Sequence, residues 1–509
     1  MYRFIVLLFS ILVLAFDDDP ANQIEVFRKK TKGPIGIMTT SNGVPVPLRE
    51  TTSTLNTRLL FNEYLLDSIT HIFRERIPER FVHAKGGGAF GYFEVTHDIS
   101  HITKAKIFSS VGKTTPIVAR FSPINPERGG NDLLRDARGF AVRFYSEDGN
   151  FDLVGFNTEM FSIKDPIDFT MFTHTQKRNP ATNLFDANML WDFITLRPES
   201  MHVFLQVFGD RGIPDGYRYM PGFSIHTYQF VNEKGEYYFV RFHFIPDGGV
   251  RFLTAEQART ISREDADYCI RDLYRAIEGG DYPSWTLSFQ ILTLDEVKNS
   301  ETDVFDVTRV LPIEKYPLHP VGKMVLNKNP KNYFAEVEQL AFSPSNLIPG
   351  ILGGVDKIFE MRRLAYRSAQ YHRLGANFNK IRVNCPFRSL TYNRDGAAPV
   401  KDNERDIPNY YPNSFNGPIP YVEESKLIQI VEHPPYNFDQ ARDLYENQLS
   451  AGEKERLVEN ILYSLGSVTK FLQEKGVELL SLVSRDLGSR VEQGLLSNVT
   501  TNYLDDYKK

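Results

Sequence analysis

The chain has 509 residues, of which 41 % are hydrophobic and 24 % charged, and its formal charge is −5. This composition excludes a disordered tail, a collagen and a polytopic membrane protein, and the acidic balance gives no ground for nucleic-acid binding. Two cysteines exclude a disulfide scaffold and a multi-cysteine metal site.

Residues 1–16 (MYRFIVLLFSILVLAF) read as a signal peptide. Arg3 supplies the positive end, the apolar run to Phe16 is broken only by Ser10, and Val13-Leu14-Ala15 offers a cleavage site. The run falls short of the ~20 residues that span a bilayer; an uncleaved anchor is the competing reading. No other stretch is long and apolar enough, so the mature chain is expected to carry no membrane span. Asn498-Val499-Thr500 is a glycosylation acceptor, and the chain ends Tyr507-Lys508-Lys509, not S-K-L. The expectation of secretion rests on residues 1–16 alone.

Residues 17–74, with Gly33, Pro34, Gly36, Gly43, Pro45 and Pro47, read as an extended N-terminal arm. From 75 to 320 strand signals dominate: Pro116–Ser122, Gly139–Ser146, a hairpin over Tyr228–Phe244 turning at Asn232–Gly235, and Ser284–Leu294 with Trp285, Leu287, Phe289 and Ile291 on one face. One helix is expected from near Ser262 to Gly279. So many strands in one block suggest a closed barrel with helical insertions. Residues 321–436 read as irregular chain wrapped over that core, with one helix from Asp356 to Leu374 stopped by Gly375. The stretch 437–509 reads as helical: Ser450 and Glu453 form a capping box before Leu457, Val458, Ile461, Leu462 and Leu465.

Three places could carry chemistry. Gly86–Gly91 formally fits G-x-G-x-x-G but lacks the βαβ context and the acid ~20 residues on, so a tight backbone passage is the better reading. His83, beside that bend, is either structural or an acid/base group, being the side chain that titrates near neutrality. Arg362, Tyr366 and Arg373 share one helical face. An Arg one turn from a Tyr favours the phenolate, a hard anionic ligand for ferric iron; on spacing alone a solvated Arg/Tyr face is the better reading.

Longer runs decide between these. Arg74–His83, Gly91–Asp98, Arg138–Val142, Gln176–Pro180, Asn332–Gln339 and Val383–Pro386 together resemble the haem catalases of the short-subunit, animal type, and the likeness runs from about residue 25 to 500. The resemblance implies an α+β fold with an antiparallel eight-stranded β-barrel core, and a haem b cofactor with ferric iron. The implied reaction is decomposition of hydrogen peroxide to water and oxygen by a homotetramer whose N-terminal arms exchange. It implies Tyr366 as the iron ligand, supported by Arg362, with His226 and Asp356 extending the network. His83 would be the acid/base, with Ser122 orienting its ring. Arg80, Arg120 and Arg373 would hold the propionates, and Val82, Phe161 and Phe169 would line the apolar side. The family is commonly peroxisomal, which is the alternative to secretion here.

Two departures stand out. Where the family reads G-N-N-T, this chain reads Gly155-Phe156-Asn157-Thr158, which puts Phe156 in place of a distal hydrogen-bond donor. Losing one such donor typically costs ~10²–10³ in rate. Asn157, on an extended strand, is expected to point the other way unless a bulge intervenes. Pro221, Ile245 and Ile313 stand where family members have polar or cationic contacts to NADPH, while His202 and Arg211 are kept, so tight NADPH binding is not expected. The competing functions are a peroxidase-type haem enzyme and a secreted, non-enzymatic haem-binding relative.

Overall fold

Each β-branched or aromatic run singled out above becomes a strand of one antiparallel sheet. The computed structural model describes residues 19–47, 62–397, 407–421 and 437–497; residues 1–16 and Asn498 lie outside the described residues. The strands are β1 Gly87–Val95, β2 Thr114–Pro123, β3 Arg138–Ser146, β4 Gly149–Phe156, β5 Gly222–Phe223, β6 Tyr228–Val231, β7 Tyr237–Pro246, β8 Ser284–Thr293, β9 His319–Lys328 and β10 Ile351–Gly354. Pairing runs β7-β5-β4-β3-β2-β1-β9-β8 and closes from β8 back to β7, an eight-stranded barrel. β6 continues along β7 beside β5, and β10 adds to β6. The expected division at residue 320 falls inside β9, the strand that closes the ring; its weak periodicity hid it.

The bore is filled by rings. Phe93, Phe121, Phe140, Phe144, Phe242, Phe289 and Trp285 are fully buried in one cluster. They meet edge to face, as in Phe242–Phe289 at 4.7 Å and 65° and Phe93–Phe144 at 5.5 Å and 81°. This accounts for much of the phenylalanine content. Because side chains alternate across a strand, Ser122, Gly139 and Phe156 then lie on the outer wall, each beside a residue that points into the bore. The Gly86–Gly91 motif is a close backbone passage: a Cβ on Gly91 would sit 1.8 Å from the Val325 carbonyl.

Helices cover the outside. The single helix expected from Ser262 is two, Ala255–Glu264 and Tyr268–Glu278. The working capping box is Thr254 with Gln257; Ser262 lies mid-helix. The second helix is capped from elsewhere in the chain, by Asp132 accepting from Cys269 N at 3.2 Å and Ile270 N at 3.1 Å. The helix Lys357–Leu374 has Asp356 as its N-cap and Gly375 as its C-cap, and Ser450–Glu453 forms its capping box ahead of Ala451–Leu465. The C-terminal helices bury Leu457, Ile461, Leu465, Leu480 and Val491 together.

The residues up to Pro78 form a compact unit separate from Glu79–Lys509. It holds the helices Asp19–Lys30 and Glu63–Ile72, a correction to the extended arm. The glycines and prolines that suggested extension lie between the helices, and Asn62 caps the second by accepting from Leu65 N at 3.1 Å. Among the described residues no helix is long and apolar enough to cross a membrane.

Candidate active site

On the outer wall of β2–β4, His83 sits in the left-handed region at φ 63°, a strained conformation for a residue with a Cβ. Its backbone N–H donates to the Ile124 carbonyl at 2.9 Å. Its ring Nδ1 lies 3.1 Å from Ser122 Oγ and 3.4 Å from the Ser122 carbonyl. A carbonyl only accepts, so that contact places the proton on Nδ1 and the lone pair on Nε2. Gly139 makes room for the ring: a Cβ there would stand 2.9 Å from His83 Nδ1. Burial, and then the Arg120 guanidinium, push the imidazole down to about 3, so it is neutral at ordinary pH. Facing it are rings: Phe156 at 5.6 Å, which in turn meets Phe161 at 5.6 Å. Val82 and Phe169 are half-buried, Phe169 packed against the Phe156–Phe161 cluster.

A second group forms a continuous relay. Asp356 Oδ1 caps the Lys357–Leu374 helix at Phe359 N (2.8 Å), and its Oδ2 lies 2.8 Å from His226 Nδ1. His226 Nε2 is 2.7 Å from Arg362 Nη1. Arginine can only donate, so Nε2 accepts and the His226 proton sits on Nδ1, toward the carboxylate. Burial lowers this imidazole below its ordinary range even though Asp356 opposes the shift, which keeps that tautomer neutral. Arg362 Nη2 donates to the Val154 carbonyl at 2.7 Å and to Tyr366 Oη at 3.1 Å. The i, i+4 spacing of Arg362 and Tyr366 is what brings the two tips together.

Between these groups lie three guanidinium ions. Arg80, Arg120 and Arg373 face one another around Glu338, which is 1 % exposed. Arg80 donates to the Val337, Glu338 and Leu340 carbonyls at 3.0, 3.0 and 2.8 Å, and Arg373 to the Glu338 carbonyl at 2.6 Å. Burial and the neighbouring cations hold Arg80 well below its ordinary range; burial brings Arg373 down to about 10. Arg80 Nη1 and Arg120 Nε are buried with no hydrogen-bond partner among the described residues. Three cations against one carboxylate leave a surplus of two positive charges and unfilled donors, which suits a dianionic group. With a Tyr oxygen fed by a guanidinium nearby, the set fits haem: two propionates for the arginines and one iron ligand from Tyr366.

The structure thus brings His83 to Ser122, joins His226, Asp356, Arg362 and Tyr366, and clusters Arg80, Arg120 and Arg373. Glu338 was missed by sequence reasoning. Its signal is the excess of three expected arginines over two propionates, which calls for a buried acid. Asn157 is engaged elsewhere: its Oδ1 accepts from Arg138 N at 2.7 Å and its Nδ2 donates to the Arg211 carbonyl at 3.0 Å. β3 and β4 pair without a bulge up to Phe156.

Comparison with known proteins matches residues 39–417 to the catalase family and residues 432–495 to the catalase-related immune-responsive family. Catalase of Drosophila melanogaster is 46 % identical over 498 residues, covering 95 % of this chain and 98 % of its own. Catalase of Sus scrofa is 48 % identical over 471 residues, covering 90 % and 89 %. Among solved structures, catalase A from Saccharomyces cerevisiae superimposes with a TM-score of 0.84 at 39 % identity, over 90 % of this chain and 99 % of its own. A bacterial catalase reaches a TM-score of 0.87 at 35 % identity, over 94 % and 99 %. Catalases generally bind haem. The chain belongs to the catalase family, and its reaction is the decomposition of hydrogen peroxide to water and oxygen.

Proposed function

We propose that this chain performs the catalase reaction with ferric haem b held by Tyr366, at a rate limited by Phe156. The observation that carries the reading is the unbroken relay Asp356–His226–Arg362–Tyr366, which ends on a phenol oxygen facing a guanidinium. Two-electron chemistry is what a bound haem supplies. Tyr366 would hold the iron through its oxygen, toward which Arg362 donates, while His226 and Asp356 fix the guanidinium and would tune the metal from outside. Arg80, Arg120 and Arg373 take the propionates. Neutral His83 would accept a proton from peroxide at Nε2 and pass it to the oxygen that leaves as water, with Ser122 fixing its ring; the two electrons for that cleavage would be supplied by the bound haem. Val82, Phe161 and Phe169 keep water from competing.

Phe156 stands where family members place an Asn, and a phenyl ring offers bound peroxide no hydrogen bond. The engaged Asn157 carboxamide supplies none either. The apolar wall of Phe156 and Phe161 also favours a peroxidase-type turnover of organic hydroperoxides as a second activity. The test is the purified protein's Soret spectrum and oxygen evolution beside Tyr366→Phe and Phe156→Asn. An absent Soret band overturns the haem assignment, and a Tyr366→Phe variant with the wild-type iron spectrum overturns Tyr366 as the iron ligand. An unchanged rate in Phe156→Asn overturns the role of Phe156.

Residues 1–16 direct the chain to secretion, and deleting them is expected to abolish export. A homotetramer with exchanged arms covers the apolar side chains that the N-terminal unit exposes, Ile35 at 81 % and Ile37 at 78 %; light scattering of the purified protein tests this. NADPH binds weakly, since Ile245 and Ile313 present apolar surface to solvent.

A further inference from the structure

The chain that carries Tyr366 makes an excursion between Gln339–Asn346 and Asn384. Both ends of this excursion are fastened at one buried place. Arg143 on β3 and Asp152 on β4 are paired across the strands and are 1 % and 0 % exposed. They meet twice, Nε to Oδ1 and Nη2 to Oδ2, each at 2.7 Å. Asp152 Oδ2 also accepts from Ser343 N at 2.9 Å and from Asn346 Nδ2 at 2.8 Å, before the helix. Arg143 Nη1 donates to Asn384 Oδ1 at 3.0 Å, after the helix. Asn384 ties the two ends to each other, accepting from Ala341 N and donating to the Gln339 carbonyl, both at 2.8 Å.

The Lys357–Leu374 helix hangs from the same segment. Gln370 Nε2 donates to the Phe342 carbonyl at 3.2 Å, Arg373 Nη2 to the Glu338 carbonyl at 2.6 Å, and Ser345 Oγ to the Arg363 carbonyl at 3.3 Å. Two residues beyond Asp152 on β4, the Val154 carbonyl receives Arg362 at 2.7 Å. A buried ion pair is a poor source of net stability, because desolvation cancels most of the attraction. A pair whose every partner is satisfied does select one geometry over its neighbours.

We propose that Arg143 and Asp152 are a positioning pair for the reaction: they set the register of the proximal helix against the barrel wall and so aim the Tyr366 oxygen. This rests on the haem-ligand reading of Tyr366. The test uses the full-length holoenzyme with Asp152→Asn. At unchanged far-UV circular dichroism, haem transfer to apomyoglobin is expected to quicken ~10-fold, as loss of outer-shell support does to metal sites. The visible spectrum shifts, kcat falls with KM unchanged, and amide exchange across residues 357–374 rises. A folded Asp152→Asn protein with wild-type haem transfer, spectrum and exchange overturns the proposal. Should that variant not fold, Asn346→Ala, which removes one of the four donors to Asp152, decides alone: a smaller change in the same four readouts supports the pair's role, and none overturns it. If Tyr366→Phe alters the iron spectrum while these variants do not, the ligand reading stands and the positioning pair falls.

Discussion

On the proximal side four side chains pass one line of hydrogen bonds from Asp356 to Tyr366, with distances of 2.7–3.1 Å. On the distal side the His83 ring meets a single serine side chain and faces the rings of Phe156 and Phe161. The proximal group is therefore over-determined: each member has its donor and acceptor roles fixed by its neighbours. The distal group has one acid/base and little to hold a substrate against it. On the proposed reading, the first group would govern how the iron is held and the second how the proton moves.

The largest expected effect breaks the distal side. His83→Ala should lower oxygen evolution by ~10²–10⁴-fold while the haem spectrum persists, since general acid–base groups contribute on that scale. Phe156→Asn works in the other direction, raising oxygen evolution up to ~10²-fold by restoring a donor. Arg362→Lys tests the proximal side: a point charge cannot hold His226, Val154 and Tyr366 at once, so the Soret band should move and haem affinity fall ~10–100-fold.

A pH profile separates the sides more gently. With His83 pushed down to about 3, the neutral base is present at ordinary pH and is lost only as pH falls through that value. Turnover of folded enzyme should therefore show no inflection near ~6.5, the ordinary histidine value. For stability the sign follows from the same shift. The contribution of neutral His83 is complete above the unfolded value of ~6.5 and erodes as pH falls from there through about 3, because the unfolded chain takes up a proton that the fold refuses. The smallest expected signal is NADPH titration by fluorescence, which should show no saturation at micromolar nucleotide.

Much of this frame could be read from the residues. Strand alternation in Gly139–Ser146 and Ser284–Leu294 survives folding, and so does the Asp356-to-Gly375 helix, because caps and periodicity act locally. What stayed hidden depends on distant chain. Asp132 caps a helix that begins at Tyr268, and Glu338 acquires its meaning from arginines at 80, 120 and 373. Ser262 misled because a Ser followed three residues later by an acid also occurs inside a helix, where the backbone donors are already taken. The family was accessible through long family-like runs. The fastening of Asn157 was not, since it needs Arg138 and Arg211 in place.

The plugged bore of the barrel has a consequence for traffic. Fully buried rings at 4.7–5.5 Å spacing fill it among the described residues, so the cylinder is a strut and not a conduit. With His83 on the outer wall of β2–β4, peroxide would reach it from that flank and not along the bore. Permeation in this enzyme is then decided by the covering segments, and a substitution deep among the phenylalanines should soften the scaffold without opening a new door.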